Sequence, residues 1–139
     1  MGKATLLVGV VLLMTGAPTG CASTVKFTVR SSEATNNGTP VYFVIRKVDG
    51  HTFLAEPYNA VAEKVFQQPV DPSILERKPV FPGQEVVVRL DQVQEGQLGL
   101  YFLFSTPEGN WRYPLQQPVP EEIIIELGKN QISKIQVRR

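Results

Sequence analysis

The chain has 139 residues, of which 42% are hydrophobic and 19% charged, and its 14 Lys and Arg against 13 Asp and Glu give a net charge of +1. This length corresponds to one ordinary globular domain. The near-neutral balance, with basic residues scattered along the chain, argues against a nucleic-acid partner. The single cysteine, Cys21, excludes an intrachain disulfide.

The N-terminal residues have the pattern of a bacterial lipoprotein leader. Lys3 precedes an apolar run over residues 4–14, which is too short to span a bilayer core about 30 Å thick and is typical of a signal peptide. Small residues then lead directly into Cys21, as in a lipobox, in which the cysteine is acylated before cleavage. We predict a signal peptide over residues 1–20, lipidation of Cys21 and a tether over residues 21–24. A free or buried thiol is the alternative.

The residue after the cysteine indicates which of the two bacterial membranes holds the lipoprotein. Ala22 follows Cys21, so the acidic residue that signals retention at the inner membrane is absent. Several acyl chains on one cysteine anchor a protein stably, because each buried CH₂ contributes about 0.8 kcal/mol. We therefore expect the protein on the inner leaflet of the outer membrane, facing the periplasm.

From residue 25 onward, short β-rich runs alternate with Pro, Gly and Asn, and no long segment has a helical period. In the first run, Val25, Phe27 and Val29 alternate with polar residues, which predicts a strand with one face in water. A later run is apolar on both faces until Arg46, as expected near the centre of a sheet. Strands are predicted over residues 25–29, 41–48, 85–90, 98–105, 111–115, 123–127 and 131–137.

Turn residues separate these strands. Pro82-Gly83 suits the central positions of a type II turn, and residues 107–110 and 128–130 each suit a hairpin. The last three connections are therefore expected to be antiparallel. We predict a single all-β domain over residues 25–139, a two-sheet antiparallel β-sandwich.

The exception is residues 56–76, which we expect to form a short helix or an irregular excursion against the sandwich. Asn59 is the predicted N-cap, and Pro69 and Pro72 must end any helix. Thirteen apolar residues are predicted to form the sandwich core: Val25, Phe27, Val29, Val41, Phe43, Ile45, Val86, Val88, Leu90, Leu100, Phe102, Ile125 and Val137.

The sequence argues against an enzyme. His51 is the only histidine and follows Gly50 in an expected turn, and no ligand spacing surrounds it. No serine lies in a nucleophile-elbow pattern. Glu121 and Glu122 are adjacent, so they would point to opposite faces of a strand. We expect no catalytic residues, no metal, no cofactor and no small-molecule substrate.

The order of features resembles the type VI secretion system outer-membrane lipoprotein family TssJ, also called SciN or VasD. The resemblance covers nearly all of the chain after the leader. The residues that carry it are Gly20-Cys21, Asn36-Asn37-Gly38, Pro40-Val41, Val80-Phe81-Pro82-Gly83, Leu98-Gly99, Trp111-Arg112 and the final hairpin of residues 123–127 with 131–137.

This resemblance implies a transthyretin-like β-sandwich tethered to the outer membrane. It also implies a partner, the periplasmic C-terminal domain of the inner-membrane protein TssM, recruited to assemble the secretion membrane complex. In the family, much of that contact belongs to the loop between the first two strands, which is residues 32–40 here. The partner-binding residues implied are Thr35, Asn36, Asn37 and Gly38.

The residues themselves leave alternatives open. Residues 35–38 are small and polar, so we expect them to contribute little to the core, and they also suit an ordinary surface turn. Strand aromatics usually fill a sandwich core, so core positions are expected at Trp111, Tyr101, Phe102 and Phe104, with an exposed partner patch as the alternative. The alternative function is a stand-alone periplasmic lipoprotein that binds a small ligand or assists folding of an envelope protein.

Overall fold

The computed structural model describes residue 2, residues 24–91 and residues 96–139. Cys21 and the predicted leader, apart from residue 2, lie outside these residues. The described elements are β1 (Val25–Arg30), a 3-10 turn (Thr35–Gly38), β2 (Val41–Lys47), α1 (Gly50–Ala55), α2 (Tyr58–Phe66), β3 (Ile74–Val80), β4 (Glu85–Leu90), β5 (Leu98–Leu103), β6 (Arg112–Leu115), β7 (Glu122–Leu127) and β8 (Ile132–Arg138).

The strands form two four-stranded sheets. Sheet A has the order β4-β1-β7-β8, and sheet B has the order β3-β2-β5-β6. The predicted two-sheet sandwich is confirmed. Its pairs are antiparallel except for β1 with β7. That pair is parallel because the chain crosses from β6 in sheet B to β7 in sheet A, so β7 enters sheet A from the same end as β1.

Two of the three final connections follow the prediction. Residues 107–110 join the antiparallel pair β5 and β6, and residues 128–130 join β7 and β8. The connection from β6 to β7 does not close a hairpin, because it changes sheets. At the predicted type II turn, Gly83 has φ +79° and the N–H of Gln84 donates to the carbonyl of Phe81 at 3.1 Å.

Aromatic rings fill the space between the sheets. Phe43 of sheet B stacks on Phe102 with ring centroids 4.9 Å apart and meets Phe27 of sheet A at 5.9 Å. Ten of the thirteen predicted core residues are buried: Val25, Phe27, Val29, Val41, Phe43, Ile45, Val88, Leu100, Phe102 and Ile125. Val86 and Leu90 are partly buried against the same core. Val137 is 44% exposed, because β8 is an edge strand.

The helical layer differs from the prediction. Helix α1 begins before residue 56, capped by Asp49, whose side chain accepts a hydrogen bond from the N–H of Thr52 at 2.8 Å. His51 therefore lies in a helix. The N-cap of α2 is Pro57 and not Asn59, because the proline already supplies the extended backbone that an N-cap needs. Strand β3, which begins at the end of the predicted excursion and continues to Val80, was not predicted, since its central residues are charged.

The helices cover the outer face of sheet B and enclose a second core. Val44 and Tyr101 of the sheet pack there against Val61 and Val65 of α2. The Tyr101 ring lies over Gly99, where a Cβ would come within 2.6 Å of the ring. A side chain at residue 99 would therefore displace Tyr101, which explains a glycine at the second position of a buried strand.

The strand directions give the molecule two ends. β1 starts at the end where the chain leaves residue 24, and the segments 31–40, 81–84, 104–111 and 128–131 all lie at the opposite end. We call this opposite end the distal end. The proximal end carries residues 24, 91, 96–97 and 116–121 and the C-terminus. None of the described helices is long and apolar enough to cross a membrane.

Candidate protein-binding site

The β1–β2 loop lies at the distal end and has an unusual backbone. Asn36, Asn37 and Gly38 have φ angles of +51°, +52° and +80°. Asparagine and glycine are the residues that adopt this left-handed conformation at least cost. The Asn-Asn-Gly sequence therefore favours the turn by which the chain passes from β1 in sheet A to β2 in sheet B.

Asn36 holds three distal segments together. Its side-chain Nδ2 donates to Thr39 Oγ1 at 2.8 Å and to the carbonyl of Pro40 at 3.1 Å. Its Oδ1 accepts from the N–H of Ser105 at 2.9 Å, and its own N–H donates to the carbonyl of Lys129 at 2.7 Å. Asn36 is 2% exposed, so it is a satisfied buried polar residue.

Thr35 is also buried. Its Oγ1 accepts from the N–H of Ser32 at 3.0 Å and lies 3.5 Å from the carbonyl of Leu127. The expectation that residues 35–38 contribute little to the core is therefore wrong for Thr35 and Asn36. Small polar side chains can be buried when the neighbouring backbone satisfies their hydrogen bonds.

Asn37 and Gly38 remain exposed. Their neighbour Asn36 contacts two other distal segments, through Ser105 and Lys129. Those two segments are themselves connected, because the N–H of Glu108 donates to the carbonyl of Asn130 at 2.9 Å. The distal end thus presents amide and carbonyl groups on a rigid base. Such an arrangement can pair with polar groups of another protein without a large ordering cost.

The strand aromatics follow the core prediction. Tyr101, Phe102 and Phe104 are at most 1% exposed. Trp111 is partly buried and contacts the rings of Tyr58 and Tyr101, at 5.0 and 5.8 Å. These rings therefore pack inside the domain instead of forming an exposed patch.

Arg112 has a structural role that the sequence pattern did not indicate. Its guanidinium donates to the carbonyls of Phe53, Leu54 and Glu56 at the C-terminal end of α1. It also lies 5.0 Å from the ring centroids of both Phe53 and Trp111. A cation at a helix C-terminus satisfies free carbonyls and opposes the helix dipole, so Arg112 attaches α1 to the sheet.

A polar groove of about 360 Å³ lies at the other end of sheet B, near the proximal end. Arg46, only 2% exposed, donates to Glu56 at 2.8 Å and to Ser73 at 3.0 Å, and Lys64 also donates to Glu56. Burial raises the pKa of Glu56, but the hydrogen bonds from Arg46 and Lys64 outweigh it and hold the pKa below its usual range. Arg46, Lys64 and Glu56 therefore neutralise one another within the groove.

The other acidic residues beside this groove also have local partners. Hydrogen bonds from Thr52 lower the pKa of Asp49, and hydrogen bonds from Ser73 lower that of Asp71. His51 is exposed in α1. Within residues 24–91 and 96–139, no group of three His, Cys, Asp or Glu side chains is placed to hold a metal ion.

Solved structures share this fold. A chain of the structure described as "T6SS protein TssM C-terminal domain (869-1107) from EAEC" is 22% identical, with a TM-score of 0.65, over 81% of this chain and 97% of that chain. The T6SS lipoprotein TssJ1 from Pseudomonas aeruginosa is 19% identical, with a TM-score of 0.65, over 85% and 98%. Serratia marcescens Lip, a membrane-bound component of the type VI secretion system, is 14% identical, with a TM-score of 0.64, over 84% and 98%.

These structures confirm the resemblance to the TssJ lipoproteins at the level of the fold. No curated protein sequence matches the chain. The family model of the IglE N-terminal domain matches residues 42–127, which run from β2 to the end of β7 and include both helices. The chain therefore belongs to the IglE N-terminal domain family.

Proposed function

We propose that the protein is an outer-membrane lipoprotein, anchored through acylated Cys21, that recruits the periplasmic domain of a TssM protein to the type VI secretion membrane complex. The fold shared with type VI secretion lipoproteins supports the assignment to this machine. The similarity to a chain of the structure described as the TssM C-terminal domain supports a TssM-type partner. Partner contact is assigned to the distal end, including the exposed Asn37 and Gly38, on the buried support of Thr35 and Asn36.

The observation that carries this proposal is the position of the loop relative to the tether. A tether over residues 21–24 would join the fold at Val25, the first residue of β1. Strand β1 has six residues and rises about 20 Å before the β1–β2 loop. The loop therefore lies at the end facing away from the membrane, where a protein reaching across the periplasm would meet it.

A charge placed on the exposed part of the loop tests the contact. Asn37→Asp keeps a residue that tolerates the left-handed backbone, but it adds a carboxylate at the surface. We expect the affinity for the periplasmic TssM domain to fall about tenfold to a hundredfold, which corresponds to about 1–3 kcal/mol. Titration calorimetry measures this change, and a thermal melt checks that the fold is intact.

The matched control is Gln116→Glu, which makes the same change from amide to carboxylate at an exposed position of the proximal end. We expect its affinity to equal that of the unmodified protein. Equal weakening by both variants would indicate a general charge effect, and normal binding by Asn37→Asp would refute this site.

Anchoring is tested separately from recruitment. Replacing Cys21 with Ser removes the thiol that accepts the lipid, so we expect loss of fatty-acid labelling and of the protein from the outer-membrane fraction. Equal labelling of the two forms would exclude Cys21 as the acylated residue and would leave the binding test unaffected.

A further inference from the structure

The four edge strands of the sandwich differ in how they are protected against pairing with another strand. β3 contains Lys78 and Pro79, β6 contains Pro114, and β8 contains Lys134. Proline and charged side chains, lysine above all, are the residues by which edge strands usually avoid pairing. β4, with the sequence Glu-Val-Val-Val-Arg-Leu, contains neither proline nor lysine, and its two charged residues are of opposite sign. Val87, near its centre, is 45% exposed.

The hydrogen bonds of β1 show which backbone groups of β4 are free. The N–H of Lys26 donates to the carbonyl of Glu121, next to β7, so the backbone groups of Lys26 point away from β4. Along a strand, the backbone N–H and C=O groups of successive residues point to alternate sides, so the backbone groups of Phe27 point toward β4. Phe27 is opposite Val88, and Val88 therefore directs its own N–H and C=O back to β1.

The alternation places the backbone groups of Glu85, Val87 and Arg89 on the open side of β4. Their side chains are all exposed on the outer face of sheet A. Within the described part of the chain, β1 is the only strand paired with β4. The open edge therefore offers three N–H donors and three C=O acceptors in regular order.

Among the described residues, no carboxylate pairs with Arg89. It lies directly opposite Lys26 on β1, and Lys26 pairs with Glu122 on its other side at 3.6 Å. Arg30 and Glu85, at the other end of the same ladder, pair with each other at 3.0 Å. No ion pair is formed by Arg89 within residues 24–91 and 96–139. Like charges opposite each other destabilise a sheet, so a carboxylate arriving from the open side would be favourable there.

We propose that the open edge of β4 binds a second copy of this chain by antiparallel pairing of β4 with itself, centred on Val87. In that register, Val87 faces Val87 of the second copy, and each Glu85 faces an Arg89. The pairing forms about six backbone hydrogen bonds and joins the two A sheets into one. Each Arg89 gains a carboxylate, and the two exposed Val87 side chains cover each other.

The inner face of the sheet is compatible with the same register. Val86 of each copy faces Val88 of the other, and both side chains belong to the apolar core side of sheet A. The other edges lack this complementarity. Self-pairing of β3 about its centre places Arg77 against Arg77, and that of β8 places Lys134 opposite Gln136.

The interface is confined to one short strand, so the dimer is weak, with a Kd on the order of 10–100 μM. Antiparallel pairing places the two Val25 residues about 20 Å apart along the strand direction, whereas a four-residue tether reaches about 14 Å. If both copies are lipidated as proposed above, they cannot stand upright on one membrane while paired. Self-pairing and upright partner recruitment are then alternative states of the protein.

The test is sedimentation of a chain comprising residues 22–139, which contain every described strand and helix. The protein concentration is varied from 1 μM to 1 mM. We expect a reversible monomer–dimer equilibrium. Val87→Pro removes an N–H that points to the open edge and not to β1, so it should leave the fold intact and weaken association at least tenfold. Val87→Thr keeps the N–H and the strand preference and should dimerise nearly as the unmodified chain does.

Charge reversal tests the register. Glu85→Arg makes residues 85 and 89 both positive, and Arg89→Glu makes both negative. Because residue 85 faces residue 89 of the second copy, each variant alone should associate at least tenfold more weakly. Mixed together they should form a heterodimer, because each arginine then faces a glutamate. Arg138→Glu reverses a charge on β8, the other edge of sheet A, and should have no effect on association.

A monomer at all concentrations would overturn the proposal, as would dimerisation unaffected by Val87→Pro or a failure of the two charge variants to associate when mixed. These results concern only the β4 edge. The partner-binding test at Asn37 has a separate outcome, because Asn37 lies in the β1–β2 loop.

Discussion

At the residue scale, Asn36 explains why the β1–β2 loop is rigid. Its side chain makes three hydrogen bonds to the loop itself and to the β5–β6 connection. The Asn-Asn-Gly sequence indicated a turn, and its left-handed backbone is the conformation these residues favour. Burial could not be inferred from the sequence, because it depends on Ser105 and Lys129, which lie far along the chain.

Substitution of the two neighbouring asparagines separates backbone strain from hydrogen bonding. Asn36→Ala removes the acceptor of the Ser105 N–H and a donor to the carbonyl of Pro40, and it places alanine at a positive φ. We expect it to lower the free energy of unfolding by about 3 kcal/mol. Asn37→Ala has the same backbone angle but an exposed side chain, so we expect a loss of about 1 kcal/mol.

Urea denaturation of the two variants measures the difference. Equal losses would mean that the hydrogen bonds of Asn36 contribute nothing beyond the backbone conformation. A loss below about 1 kcal/mol for Asn36→Ala would show that the loop is not supported as the structure indicates.

At the element scale, the helical layer is attached to sheet B through polar groups as well as packing. Glu56, with 13% of its side chain exposed, follows α1 and pairs with Arg46, with 3% exposed, on β2. Its carboxylate also accepts from Lys64 of α2. One carboxylate thus joins both helices to the sheet. Removing it would leave the buried Arg46 guanidinium without a charged partner, with only its hydrogen bond to Ser73 remaining at this site.

This arrangement predicts a specific acid sensitivity. Because the pKa of Glu56 is lower in the folded protein than in the unfolded chain, its contribution is fully present above about pH 4.5 and is lost as the pH falls through the folded pKa. Glu56→Gln should lower the free energy of unfolding by about 3 kcal/mol at pH 7. It should also reduce the further loss of stability between pH 5 and pH 3.

Glu63→Gln is the matched control, because Glu63 is exposed on the same helical layer. It should follow the pH profile of the unmodified protein. A Glu56→Gln profile parallel to that of the unmodified protein would show that this carboxylate does not contribute to acid sensitivity.

The elements predicted from the sequence were those with the clearest apolar pattern. In β1, every second residue is apolar and buried, so its register follows from alternation. β3 carries Glu76, Arg77 and Lys78 because an edge strand needs little burial, and its pattern resembles that of a loop. Helix α1 has only six residues, too few to show a helical period, and packing of Phe53 and the contacts of Arg112 stabilise it.

At the scale of the whole molecule, the strand directions separate the proposed attachment point from the proposed partner-binding surface. The parallel pairing of β1 and β7 places the β1–β2 loop and the β7–β8 turn at the same end. Both lie opposite the residue where a lipidated tether would enter. If residues 21–24 form the proposed tether, the fold separates the proposed anchor from the proposed binding surface by about 20 Å.

The most direct test of this account is amide hydrogen exchange of the full chain, alone and with the periplasmic TssM domain. We predict slower exchange on binding in residues 31–40 and 104–111, at the distal end. Residues 96–97 and 116–121, at the proximal end, should exchange at unchanged rates. Protection confined to the proximal end, or binding without any distal protection, would contradict the account.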